Sequence, residues 1–336
     1  MRCLPAARVL ALACLVAGPA LGETFDLPLP AGLKPLRIPD DNPLTAAKVE
    51  LGKQLYFDPR LSRDNTVSCA SCHDPAKGWS NGERFATGID GQVGGRSAPT
   101  IINAAYQRLQ FWDGRADELE GQALGPIQNP IEMDLTTDEL VEKLNAIPGY
   151  HRQFEAVFGT PATPDAIAKA IAAFERTVLS GDAPFDRHEQ GDKEALSPAA
   201  QRGYEVFFHT AHCSACHQPP LFTDGAFHNI GVGIDDEKPD EGRHVISNLL
   251  GDRGAFKTPT LREIGRTAPY MHDGRFKTLE EVVEYYDKGG TPNDQLDESI
   301  FPLRLKPQDK ADLIVFLKEA LASEKYPVVE PPELPE

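Results

Sequence analysis

Two short stretches carry the chemistry of this chain. Cys69-Ala70-Ser71-Cys72-His73 and Cys213-Ser214-Ala215-Cys216-His217 each read C-x-x-C-H, the attachment signature of a c-type haem. Two thiols three residues apart reach the two vinyl groups on one porphyrin edge and form thioethers. The next residue, His73 or His217, then gives an imidazole nitrogen to the iron as proximal ligand. A zinc site would need four N or S ligands close together. A thioredoxin-like pair would need a βαβ setting and no obligatory histidine. The repetition of the full five-residue motif favours haem over both.

What fills the far axial position of each iron decides its chemistry. His or Met there gives electron transfer, and an open position admits peroxide or oxygen. Residues 74–132 contain neither Met nor His. The first haem is therefore expected to be five-coordinate or to hold only water. For the second haem the candidates are Met271, His272, Tyr285 and Tyr286. A thioether would raise the reduction potential, whereas a tyrosinate, a hard anion, favours the ferric and higher states.

The N-terminus has the layout of a secretory signal over residues 1–22. Arg2 and Arg8 form a basic start, Val9 to Ala17 an apolar run, and Ala20 and Gly22 supply small residues for cleavage. That run is shorter than the about 20 residues a membrane helix needs, and no membrane insertion is expected. It continues past Cys14 through Val16, which argues against a lipoprotein anchor. Of six cysteines, Cys3 and Cys14 leave with the leader, so the remaining four all lie in the two motifs. No disulfide can form once haem is attached. Covalent haem attachment takes place outside the bacterial cytoplasmic membrane, which agrees with export to the periplasm. The loss of two arginines with the leader takes the formal charge from −17 to −19. Such a surface excludes nucleic acid and anionic membranes as partners and keeps the protein soluble.

Helical periodicity supplies the elements that position the motifs. Thr45 to Tyr56 reads as a helix with Thr45 as N-cap, and the loop Phe57 to Ser62 delivers the chain to the first motif. Ser80 to Gly95 and the Gly- and Pro-punctuated Gly121 to Met133 read as loops. Helices follow over Thr137 to Ile147, Gly149 to Phe158 and Pro164 to Leu179. The polar stretch from Gly181 to Ser197 is the expected boundary. Beyond it, Ser197-Pro198 starts a helix like the first: Leu51-Gly52-Lys53-Gln54-Leu55-Tyr56-Phe57 precedes one motif and Arg202-Gly203-Tyr204-Glu205-Val206-Phe207-Phe208 the other. Thr278 to Tyr286 and Lys306 to Leu321 are later helices. Strand signals are few. The expected fold is mainly α, two tandem cytochrome c-like domains over 23–190 and 191–336, each with one covalently bound c-type haem.

Over nearly all of its mature length the chain resembles the bacterial di-haem cytochrome c peroxidase and MauG family. The matching stretches are Phe57 to Ser62, Cys69 to Pro75, Ala98-Pro99-Thr100, Phe111-Trp112-Asp113-Gly114-Arg115, Gln128 to Met133 and Thr267 to Gly274, in the same order and spacing. The resemblance implies that the N-terminal haem, with His73 proximal, reacts with peroxide. Glu132 would stand over its open face as the acid–base group, Gln122 would support Glu132, and Trp112 would carry electrons between the haems. Peroxidases of the family carry a distal His after the first motif, and this chain has none. They place Met where Tyr286 stands, and MauG has Tyr there. In haem ligation the chain is closer to MauG. It departs from MauG at Ala211, where MauG has the Trp through which it draws electrons from its protein substrate. The family's calcium between the haems would be held by the carbonyls of Thr267 and Pro269, with Ser97 in place of the family's Asn.

The function expected is a periplasmic di-haem peroxidase reducing hydrogen peroxide with electrons from a small redox protein, or drawing them from a protein substrate. The alternative is a non-catalytic di-haem electron-transfer cytochrome. The sequence leaves a homodimer open.

Overall fold

The computed structural model describes residues 24–336, so the leader expected over residues 1–22 lies outside the described residues. Eleven α-helices follow in the described chain: α1 (Ala46–Phe57), α2 (Cys69–Cys72), α3 (Leu119–Gln128), α4 (Thr137–Asn145), α5 (Pro148–Phe158), α6 (Pro164–Glu175), α7 (Pro184–Glu189), α8 (Pro198–Glu205), α9 (His244–Ser247), α10 (Leu279–Asp287) and α11 (Pro307–Val315). Two two-residue strands, β1 (Phe227–His228) and β2 (Phe256–Lys257), pair antiparallel. None of the described helices is long and apolar enough to cross a membrane.

There are two hydrophobic cores. The first gathers Leu51, Leu55, Tyr56, Trp79, Phe154 and Phe174. The second gathers Phe185, Phe207, Phe222, Phe316 and Leu321. In each, one close helix crossing sets the frame. Thr45 caps α1 by accepting the Lys48 N–H at 3.3 Å, as its position before an apolar-periodic run predicts. Gly52 of α1 then lies so close to α6 that a Cβ would fall 1.8 Å from the Ala170 carbonyl oxygen. In the second core Gly203 of α8 lies against α11, where a Cβ would fall 2.1 Å from the Asp312 carbonyl oxygen. The two sequence-matched pre-motif helices thus use their glycines identically. The final turn of each pairing continues past α8 and α11 as π-helix, over Val206–Thr210 and Phe316–Ala320.

One expectation fails. Residues 121–133 are expected as loop, but 121–128 lie within α3 (Leu119–Gln128). Its Leu119, Ala123 and Ile127 recur every four residues and are all buried, and this periodicity outweighs Gly121, Gly125 and Pro126. Gly125 is tolerated because the Phe111 ring occupies the space beside it, 3.2 Å from a Cβ there. α3 is bound to the last turn of α6 by a buried ion pair, Arg176 to both carboxylate oxygens of Glu120 at 2.7 and 2.9 Å. The stretch 181–197, read as polar, contains α7. Its Phe185 joins the second core, and its Asp186 takes both guanidinium nitrogens of the fully buried Arg262.

The halves meet through an approximate two-fold exchange. Phe111-Trp112-Asp113-Gly114-Arg115 and Met271-His272-Asp273-Gly274-Arg275 adopt the same turn, each with a positive φ at its first residue and each closed by an isolated bridge, Gln110 to Ala116 and Tyr270 to Phe276. Ser97 N–H donates to the His272 carbonyl at 2.7 Å, and Lys257 N–H donates to the Trp112 carbonyl at 2.8 Å. Thr100 and Thr260, close behind each of these, also match. Each hydroxyl donates 2.6 Å to a carbonyl beyond its own haem motif, Gly78 or Leu221.

Candidate functional site

The two motif histidines are held alike. His73 Nδ1–H donates to the Pro99 carbonyl at 2.9 Å, and His217 Nδ1–H donates to the Phe222 carbonyl at 3.0 Å. A carbonyl can only accept, so each proton sits on Nδ1 and each Nε2 keeps its lone pair for a metal. Burial lowers the affinity of both rings for a second proton, against the raising effect of those carbonyls. Both are neutral ligands by construction. Burial likewise pushes the thiols up, Cys72 to about 11 and Cys213 to about 12, and raises Cys69 too. The Tyr56 hydroxyl fixes the end of the first motif by donating to the His73 carbonyl at 3.0 Å.

The second motif opens on a cavity of about 280 Å³, largely apolar. Cys213, Cys216 and His217 line it together with Tyr286, Met271 and Phe207. Both expected candidates for the far ligand, Tyr286 and Met271, therefore reach the same space as His217. Tyr285 does not share it: its hydroxyl donates to the Ile230 carbonyl at 2.9 Å and accepts from Thr291 N–H at 3.1 Å. His272 also lines this cavity, but its ring is stacked on Phe256 with centroids 3.5 Å apart. Burial lowers it to about 4. A neutral histidine and paired cysteines at each motif, with the apolar cavity at the second, form a donor set that fits haem.

On the first motif's side, Glu132 lies on the turn between α3 and α4. Its Oε1 accepts from Asn129 Nδ2 at 2.7 Å. Burial raises this carboxyl, and the nearby Arg115 guanidinium and the Asn129 hydrogen bond partly offset that rise. Its charge adds to burial in raising the Cys69 and Cys72 thiols, so it lies near the attachment pair. Gln122 lies on α3, partly buried, and makes no side-chain hydrogen bond among the described residues. Met133, next to Glu132, is only 2% exposed within the first core.

Trp112 sits at the junction. Its indole N–H donates to the Ser97 carbonyl at 2.9 Å, and it lines the second cavity along with Ser97, Thr267 and Pro269. No hydrogen bond is donated to the Thr267 or Pro269 carbonyl among the described residues. Arg96, beside Ser97, ties the halves by bonding Asp113 and Asp240, each at 2.6 Å.

Sequence reasoning missed His228. Cys216 Sγ, an Asp224 oxygen and a His228 nitrogen lie within 4.8 Å of one another. Asp297 at 2.6 Å and Asp224 at 2.9 Å hold the two ring nitrogens of His228. Asp224 lies four residues before His228, but Asp297 arrives from 69 residues away.

Comparison with known proteins places this arrangement. Residues 46–194 match the family described as di-haem cytochrome c peroxidase. The methylamine utilization protein MauG of Methylorubrum extorquens is 42% identical over 87% of this chain and 83% of its own length. The cytochrome c551 peroxidase of Pseudomonas aeruginosa is 35% identical over 92% of this chain and 87% of its own. Among solved structures, a MauG-like protein associated with microbial copper homeostasis superposes with a TM-score of 0.84 at 34% identity, covering 92% of this chain and 98% of the other. The mainly helical fold with two cytochrome c-like halves, the two haems, and the twin motifs agree with that likeness, and the chain belongs to the di-haem cytochrome c peroxidase and MauG family.

Proposed function

We propose that this chain is a periplasmic di-haem peroxidase that converts hydrogen peroxide to water. Two protons and two electrons enter per peroxide and two waters leave. The electrons come from a small redox protein or from a side chain of a protein substrate. The leader over residues 1–22 directs export, residues 23–190 form the peroxide-reacting domain, and residues 191–336 form the electron-transfer domain.

Cys69, Cys72 and His73 would hold one haem, the two thiols by covalent attachment and the imidazole on the iron. Cys213, Cys216 and His217 would hold the other in the same way, with Tyr286, or Met271 as the alternative, as a further iron ligand. Haem iron supplies the coordination site for peroxide and the capacity to exchange electrons. The protein supplies the rest. Glu132 accepts a proton from one peroxide oxygen and delivers it to the departing one, and Gln122 supports Glu132 on the same side. Trp112 lies between the two motifs and carries electrons across the junction. Ser97, with the otherwise unbonded carbonyls of Thr267 and Pro269, offers a hard oxygen site for calcium there.

The observation that carries this reading is a half-buried carboxyl near Cys69 and Cys72, with neither Met nor His in residues 74–132 to cap the iron. It disfavours the simple electron carrier, which has no use for such a group. Replacing Glu132 by Gln keeps the shape and removes the proton. The rate of reaction with hydrogen peroxide, followed by stopped-flow absorbance, should fall about 10²–10⁴-fold. An unchanged rate would remove Glu132 from the chemistry.

A further inference from the structure

Asn129 organises the turn that carries Glu132. At the end of α3 its own N–H donates to the Pro126 carbonyl at 3.2 Å. Its carbonyl accepts the N–H groups of Glu132, Met133 and Asp134 at 3.0–3.2 Å. Its side chain is used at both ends: Oδ1 accepts Ile131 N–H at 3.2 Å, and Nδ2 donates to Glu132 Oε1 at 2.7 Å. The Ile131 N–H can only donate, so the amide oxygen must face it and the amide nitrogen must face the carboxyl. From the other side the loop at Gly88 closes on the same turn. Ile89 N–H donates to the Glu132 carbonyl at 3.0 Å, and a Cβ at residue 88 would fall 2.0 Å from the Ile131 carbonyl oxygen.

Glu132 is therefore clamped at its backbone and tethered at one carboxyl oxygen. No donor reaches Oε2 among the described residues. The hydroxyl oxygen of a protonated carboxyl is a poorer acceptor than its carbonyl oxygen, so this bond favours Oε1 as the carbonyl oxygen and Oε2 as the site of the proton. The charged and titratable groups around the turn are few. Arg115 approaches from the Trp112 segment and Cys69 and Cys72 from α2. Asp134 is paired with Arg63 at 2.8 Å.

We propose that Asn129 is a positioning residue that holds Glu132 Oε1 as an acceptor and leaves Oε2 as the oxygen that exchanges the proton. This rests on the reading of Glu132 as the acid–base group. The resting enzyme thereby keeps one defined oxygen, in one defined orientation, for proton exchange with peroxide.

The test uses the holoprotein. Asn129→Asp is isosteric and keeps the acceptor for Ile131 N–H, but it loses the donor and adds a negative charge. Asn129→Ala removes the side chain, and the donor with it, without adding charge. Two readouts follow pH from 5 to 9: the stopped-flow rate with hydrogen peroxide, and the infrared band of the protonated Glu132 carboxyl, assigned as wild type minus E132Q. The apparent pKa of Glu132 should rise by about one unit or more in N129D, with the acid limb of the rate profile following, and by less in N129A. An infrared pKa equal to wild type in both variants would overturn the proposal. If E132Q is crippled while both Asn129 variants keep the wild-type profile, the positioning role alone fails. If E132Q itself reacts at the wild-type rate, the acid–base reading fails and takes this inference with it.

Discussion

At the level of single residues, the hydrogen bond on the far side of each imidazole does as much as the spacing of the motif. The sequence places His73 and His217 next to paired cysteines, but only the fold brings the Pro99 and Phe222 carbonyls to Nδ1 and thereby fixes the tautomer. The haem residues were legible because their chemistry depends on contiguous spacing. Glu132 and Trp112 were legible only through the family's motifs, and Asn129 escaped notice because a lone Asn before Pro reads as turn punctuation. Tyr286 and Met271 share one cavity with His217. With Tyr286 as the far ligand, Tyr286→Phe alters the low-spin ferric signal of the second haem, and an unaltered signal would assign the ligand to Met271. Glu175 is a second residue that no pattern announces. It is 5% exposed, its Oε2 has no hydrogen-bond partner, and burial raises it to about 8. The folded state thus holds a proton that the unfolded chain releases near pH 4.5. Its stability contribution is intact below that value and is lost as pH rises toward 8, at up to about 1.4 kcal/mol per pH unit. Glu175→Gln should flatten this loss. Urea midpoints between pH 5 and 8 that fall equally in both proteins would refute the assignment.

At the level of elements, helical periodicity located α1, α4, α5, α6, α8, α10 and α11 but not the short α2, α7 and α9, and N-caps such as Thr45, Ser197 and Thr278 stand at their starts. It failed at α3 because Gly121, Gly125 and Pro126 are loop signals locally, while the reason they are tolerated is tertiary. The Phe111 ring sits beside Gly125, and α6 covers the buried face. The same tertiary logic explains the matched glycines of α1 and α8. A methyl at residue 52 or 203 would overlap a backbone carbonyl of the crossing helix, which no side-chain rotation relieves. Gly52→Ala and Gly203→Ala should each cost about 1–3 kcal/mol through overpacking, seen as a lower thermal midpoint. Wild-type midpoints for both would mean that the helices cross less tightly in solution.

At the level of the whole molecule, reciprocal backbone bonds around Trp112 and His272 join the two halves. Internal repetition was visible in the sequence at the haem motifs and the helices before them. The exchange of Ser97 N–H for Lys257 N–H across the junction was not, since it depends on how the repeats are docked. Arg96 is a side chain that ties both halves at this point, through Asp113 and Asp240. Arg96→Ala should loosen the junction and turn a single cooperative unfolding transition into two. A single transition at the wild-type midpoint would show that the backbone exchange suffices. On the proposed mechanism, electron sharing between the halves would depend on this docking, because the Trp112 indole N–H donates to the Ser97 carbonyl. The proposed mechanism requires that one haem be open and reactive while its partner is capped. Low-temperature EPR of the ferric holoprotein, before and after hydrogen peroxide, tests this most directly. A high-spin signal should stand beside a low-spin one, and the high-spin signal should be lost on adding peroxide. Two low-spin signals that peroxide leaves unchanged, before and after partial reduction, would contradict it and return the chain to a carrier of electrons.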